Sequence, residues 1–116
     1  MIELQIPYPT VTANSMWARR RKGVSLSDKY EKWLFDAGFL ALGQHAGKIK
    51  GRYKISINAV RPDRKRRDLD NILKPVSDLL VSIGTVEDDS LCEMISARWV
   101  TTGEGITVRI EPAGVE

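Results

Sequence analysis

Cysteine occurs once in the 116 residues, at Cys92. One thiol excludes an internal disulfide framework and any zinc site built on several cysteines. Histidine is as scarce. His45 stands alone, near the end of a predicted helix, where a surface or capping role is far commoner than catalysis. No run of about 18 apolar residues occurs, so no membrane-spanning helix is expected. The opening Met1-Ile2-Glu3-Leu4-Gln5 has neither a basic nor an apolar signal region. A secretory signal is therefore not expected, and the reducing cytoplasm is the default compartment. Strong charge of one sign is missing too: 18 Lys+Arg against 15 Asp+Glu give a formal net charge of +3. What is present is ordinary for a globular chain. Hydrophobic residues make up 42% and charged residues 28%, which argues against a disordered, collagen-like or coiled-coil state. The length fits one domain, residues 1–116, with a single sizeable core.

The small net charge conceals strong local charge. Arg19, Arg20, Arg21 and Lys22 form one basic cluster; Arg61, Arg64, Lys65, Arg66 and Arg67 form another. Acids also concentrate, at Asp68/Asp70 and at Glu87/Asp88/Asp89. The second basic run therefore ends directly against a pair of carboxylates, and where charge sits says more than its sum.

Residues 2–6 alternate apolar and polar, the period of a half-buried strand, and Pro7-Tyr8-Pro9 stops it. Residues 9–26 read as a long polar loop. Ser27 is placed as an N-cap, with Tyr30 at the third helical position. Tyr30, Trp33, Leu34, Ala37, Leu40 and Ala41 then follow a 3.6-residue period, predicting a helix from about Ser27 to about His45. Residues 52–60 alternate again as a second strand. Ile72, Leu73, Val76, Leu79, Leu80 and Ile83 mark a second helix ended by Gly84. Pro75 is tolerated only in a first turn, so regular helix is expected to begin near Asn71–Leu73. Residues 91–100 and 106–110 read as third and fourth strands, joined by a hairpin turn at Gly103-Glu104-Gly105. The expected fold is α+β: one small domain, order β-α-β-α-β-β, with two helices packed on one face of a four-stranded mixed sheet.

Asp68-Leu69-Asp70 sets two carboxylates at i and i+2. In extended backbone, which Pro75 favours here, both point to one face and can converge on a cation. Asp88 and Asp89 follow the second helix. The linker from Gly84 is just long enough to bring them back, and completion by a second subunit is the alternative. Hard oxygen ligands suit Mg²⁺, which can polarise a phosphodiester and activate water. Lys74 can neutralise charge developing on the phosphate or help activate water. Arg64, Lys65, Arg66 and Arg67 can hold a nucleic-acid backbone that the acids alone would repel. Plainer readings stand beside these. Asp68 or Asp70 can serve as an N-cap, Asp88-Asp89 as a polar turn, the arginine run as a solvated loop, and Lys74 as a salt-bridge partner of Asp70. A calcium loop is excluded, because the glycine and glutamate it needs after D-x-D-N are missing.

The block Asp63-Arg64-Lys65-Arg66-Arg67-Asp68-Leu69-Asp70-Asn71, then Lys74, then Asp88-Asp89, resembles the RusA family of Holliday junction resolvases. The strand followed by Pro7-Tyr8-Pro9 and Asn14 resembles that family's start. The resemblance implies a homodimeric endonuclease that depends on Mg²⁺, with Mn²⁺ as a substitute, and resolves four-way DNA junctions in recombination and repair. It further implies that Asp68, Asp70 and Asp89 are catalytic and metal-binding, with Asp88 assisting, that Lys74 is the catalytic lysine, and that Arg67 belongs to the same block. Arg64, Lys65, Arg66 and Arg67, with Arg19, Arg20, Arg21 and Lys22, are the expected DNA-binding residues. A bacterial or phage origin, with a cytoplasmic, nucleoid-associated location and no membrane partner, goes with it. The chain departs from the family pattern at Pro75 and around Thr10–Trp17. The rival readings are a non-catalytic branched-DNA or RNA binding module and a structural or regulatory phage protein. Trp17 is placed to stack on an unpaired base or to pack in the core or at a dimer interface; Cys92, Trp33 and Trp99 are expected in the core.

Overall fold

The computed structural model describes residues 1–10, 16–20, 23–44 and 47–114. The strand β1 (Ile2–Ile6) opens the chain, and a two-stranded ribbon of β2 (Trp17–Arg20) and β3 (Gly23–Leu26) follows. Then come helix α1 (Asp28–Leu42), strand β4 (Tyr53–Val60), helix α2 (Leu73–Ser82), and strands β5 (Cys92–Val100) and β6 (Ile106–Pro112). Short 3-10 turns at Leu69–Ile72 and Asp89–Leu91 lead into α2 and β5.

The ribbon corrects the expectation of a loop through residues 9–26. β2 and β3 pair antiparallel, Trp17 against Leu26 and Arg20 against Gly23. Consecutive arginines conceal this from periodicity, because a ribbon that is not a core strand need not alternate apolar with polar. Residues 11–15, with Asn14, and His45 lie outside the described residues.

The main sheet runs β1-β6-β4-β5, with β4 parallel to β5 and antiparallel to β6. β5 and β6 thus flank β4 and are not neighbours, so residues 103–105 do not form the expected hairpin turn. They carry the chain past the end of β4, where Val60 N–H donates to the Gly105 carbonyl at 2.9 Å. Turn chemistry alone does not say whether the strands it joins will pair, since a strand already beside one of them can take the place.

One face of the sheet is buried at every second position: Leu4 and Ile6, then Tyr53, Ile55, Ile57 and Ala59, then Ile106, Val108 and Ile110. Each buried aliphatic side chain contributes about 1.5–3 kcal/mol by leaving water. Against this face lie Tyr30, Trp33, Ala37 and Ala41 of α1 and Val76, Leu79 and Leu80 of α2. Ser27 caps α1, its Oγ accepting from Tyr30 N–H at 3.2 Å. Leu40, read as part of the core stripe, is instead exposed beside Phe39, because the apolar face of α1 is wider than what covers it. β5 is the sheet's edge, and most of its residues are exposed. Cys92 is accordingly only partly buried and donates to the Met94 carbonyl at 3.5 Å, and Trp99 is half-buried. Both corrections follow from edge position, since an edge strand has one neighbour where an inner strand has two. Trp33 is in the core as expected and Trp17 is exposed. Among the described residues no helix is long and apolar enough to cross a membrane.

Candidate active site

The chain leaves β4 at Arg61 and enters β5 at Cys92, which pairs with Tyr53 at the opposite end of β4. The connection between them carries nearly all the site residues. Its first part, residues 61–67, is a basic loop in which Arg64, Lys65 and Arg66 are exposed. Arg67 is held by Asp63, donating from Nε to Oδ1 at 3.1 Å and from a terminal nitrogen to Oδ2 at 2.7 Å. Asp63 also accepts from Lys65 N–H. The Arg67 guanidinium pulls the Asp63 carboxyl down to about 2, and Asp63 in turn raises Arg67. This fork-on-fork pair fixes the arginine just before the first site carboxylate.

Asp68 is extended, at φ −85° and ψ 126°, and precedes the 3-10 turn Leu69–Ile72 without a side-chain capping bond. Asp70 stands inside that turn. The expected extended run through Asp70 is therefore corrected, and strand alternation does not align the two carboxylates. Pro75 has no N–H to give the Asn71 carbonyl, and the preceding residues tighten into i→i+3 bonds. Asn71 N–H donates to the Asp68 carbonyl at 3.2 Å, and Leu73 N–H to that of Asp70. α2 then begins regularly at Leu73, with Pro75 at its third position. Both carboxylates are exposed.

Lys74, exposed in the first turn of α2, does not pair with Asp70. Its Nζ donates to Asp78 Oδ1 at 2.9 Å and to Asp89 Oδ2 at 3.2 Å. These carboxylates raise the lysine, Asp78 most. Lys74 and Asp89 thus meet within one chain. Asp88 spends one carboxylate oxygen on the next turn, accepting from Ser90 N–H at 3.1 Å and from Ser90 Oγ, which lowers it. Beneath them Tyr53 is buried with no hydrogen-bond partner for its hydroxyl, and burial first, then Cys92 and the two acids, pushes it up to about 12.

A cavity of about 280 Å³ opens beside Asp68, lined by Tyr8, Thr10, Arg66, Arg67 and Asn71 among others. Its wall continues as a stack. The Tyr8 and Trp99 rings lie 6.2 Å apart at 11°, with Arg61 4.4 Å over Trp99 and Arg67 5.7 Å over Tyr8. The sequence reading missed this stack, and it missed Asp63 and Asp78 as partners. Of the first basic cluster, Arg19 and Arg20 are backbone positions of β2, and Arg21 and Lys22 lie outside the described residues.

Among the described residues no group of three or more His, Cys, Asp or Glu side chains is gathered to hold a metal ion. Mg²⁺ does not require one. It commonly takes one or two carboxylates and fills its shell with water and phosphate oxygens. Asp68 and Asp70, exposed hard-oxygen donors outside every ion pair described above, fit that demand.

The sequence pattern of the family described as Endodeoxyribonuclease RusA matches residues 7–111. The chain belongs to the RusA family. It is 39% identical over 85 residues to the crossover junction endodeoxyribonuclease rusA of Enterobacteria phage HK97, covering 72% of this chain and 70% of that one. It is 33% identical over 64 residues to the crossover junction endodeoxyribonuclease RusA of Aquifex aeolicus (strain VF5), covering 52% of this chain and 51% of that one. The RusA match takes in the whole connection from Arg61 to Asp89, as well as Tyr8 and Trp99.

Proposed function

We propose that this chain is a homodimeric, Mg²⁺-dependent endonuclease that resolves four-way DNA junctions by paired phosphodiester hydrolysis. It would act in recombination and repair in the cytoplasm of a bacterial or phage-infected cell. The observation that carries the reading is the Lys74 ammonium held on Asp89, on the same connection as two exposed carboxylates and an exposed basic loop, in a RusA family member. Asp68 and Asp70 would hold the metal, with Asp89 the third catalytic acid and Asp88 at its side; Mn²⁺ is the expected substitute. When bound, the ion supplies Lewis-acid polarisation of the phosphodiester and makes water a better nucleophile.

The rest is done by the chain's own side chains. Lys74 offers a donor to the phosphate oxygen on which charge develops. Arg67, fixed by Asp63, faces the phosphate beside Asp68, and Arg64, Lys65 and Arg66 neutralise flanking phosphates. Arg19, Arg20, Arg21 and Lys22 are proposed as further DNA-binding residues. Two opposed cuts need two sites, which a two-fold dimer provides. The contact of Lys74 with Asp89 in one chain supports one site per protomer.

The test is cleavage of a synthetic four-way junction against linear duplex, with and without Mg²⁺. Asp70→Asn is expected to bind the junction with wild-type affinity and to cut it at least 100-fold more slowly, the scale on which single catalytic groups act. Cutting at the wild-type rate by that variant refutes the assignment.

A further inference from the structure

Asp78 is the one carboxylate of this region that neither the acid cluster nor the basic loop accounts for. It lies one helical turn after Lys74 and is partly buried, its side chain 24% exposed. Its two oxygens are divided. Oδ1 accepts from Lys74 Nζ at 2.9 Å, and Oδ2 accepts from the Tyr30 hydroxyl at 2.5 Å. Tyr30 comes from α1, 48 residues away, and its ring is completely buried, stacked 6.2 Å from Trp33. A hydroxyl anchored in the core thus orients Asp78, and Asp78 orients the lysine.

Stability accounts for the Tyr30 bond, since a buried hydroxyl needs a partner, but not for the Lys74–Asp78 pair. A lysine four residues before an aspartate is the less favourable order on a helix, and partly exposed ion pairs contribute little. Its effect on the ammonium is more specific. Lysine has three N–H donors on a flexible four-carbon stem. One is taken by Asp78 and one by Asp89, which leaves about one for a phosphate oxygen. Without Asp78 the stem is free to swing, and the ammonium can settle wholly on Asp89 and the neighbouring acids.

We propose that Asp78 is a positioning residue for Lys74, with Tyr30 as its anchor: the chain Tyr30–Asp78–Lys74–Asp89 runs from the core of the molecule to the reacting phosphate. The proposal rests on the junction-cutting reading above. In this role Asp78 acts through Lys74, and not directly on substrate or metal.

The experiment is a double-mutant cycle on single-turnover cleavage of a four-way junction, with junction affinity and thermal unfolding measured on every variant. Asp78→Asn is expected to slow cleavage about 10–100-fold, the usual loss when the partner that orients an active-site group is removed, with affinity within about twofold. Tyr30→Phe, which keeps the ring in the core, is expected to lose less, and Asp78→Glu to recover part of the rate. The deciding variant is Lys74→Ala/Asp78→Asn, expected to be no slower than Lys74→Ala, because a residue that acts through Lys74 has nothing to act on once it is gone. Losses that multiply in the double variant, or Asp78→Asn cutting at the wild-type rate, overturn the proposal. A wild-type protein that leaves junctions intact with Mg²⁺ instead overturns the nuclease reading, and this proposal falls with it.

Discussion

Arg67 and Asp63 illustrate how one pair can prepare a surface for phosphate. The bidentate contact fixes the guanidinium before any DNA arrives, and it leaves a measurable mark on the acid. Because the Asp63 carboxyl is held at about 2 in the folded chain, below its ordinary value of 3.8, the pair is intact above about pH 4. It is lost as pH falls through the lower value. A carbon-detected NMR titration of Asp63 is expected to show a midpoint near 2, and Arg67→Ala is expected to return it to the ordinary carboxylate range. A midpoint unaffected by Arg67→Ala removes the pair as the cause. At this scale the sequence was informative where residues act locally. The placement of the acids at 68, 70, 88 and 89, Lys74 and the basic run on one connection was legible because their spacing lies within it. Tyr30 with Asp78, and Tyr8 with Trp99, were not. Nothing in the identity of a buried tyrosine says which helix, 48 residues on, will present its acceptor.

Elements were legible by period and illegible by neighbour. Alternation found β1, β4, β5 and β6, and the Ser27 cap and the Pro75 limit placed α1 and α2. Alternation carries no information on which strands pair, so the place of β6 between β1 and β4 was hidden, as was the arginine-bearing ribbon β2–β3. The tight turn at 69–72 escaped because an isolated 3-10 turn has too few residues to show a period. The join between β5 and β6 is where this unreadable topology becomes testable. Gly105 has φ +65°, and a Cβ there would stand 2.5 Å from the Ile6 carbonyl oxygen at the end of β1. Backbone strain of this kind costs about 1–3 kcal/mol before the clash is counted. Gly105→Ala is therefore expected to lower Tm by roughly 6–10 °C for a domain of this size. An unchanged Tm means that the end of β1 yields freely.

For the whole molecule the notable quantity is a formal charge of only +3, small for a protein proposed to grip a polyanion. Attraction must come from patches, and the exposed Arg64, Lys65 and Arg66 stand together in one. Each phosphate they neutralise adds about 0.9 to the slope of log affinity against log salt. With about four phosphates neutralised, junction affinity is expected to fall roughly 100-fold between 50 and 200 mM salt. Arg64→Gln/Arg66→Gln is expected to make the slope shallower by about one for each phosphate that no longer meets a guanidinium. Equal slopes for the two proteins place the DNA elsewhere on the surface.

The pairing of β1 with β6, which joins Ile2 to Ile110 and Ile6 to Ile106, also governs when the protein exists at all during its synthesis. The first strand of the sheet must wait for the last. Until residues 106–112 leave the ribosome, β1 has no partner and β4 has one open edge, so the buried face of the sheet stays open to water. Helix α2, with Lys74 and Asp78, can form early, since helices need only local contacts, but nothing yet holds it against a finished sheet. The nascent chain thus carries its site residues in sequence and not yet in geometry. The four-stranded sheet can close only after β6 has been translated, because β6 is the strand that joins β1 to β4.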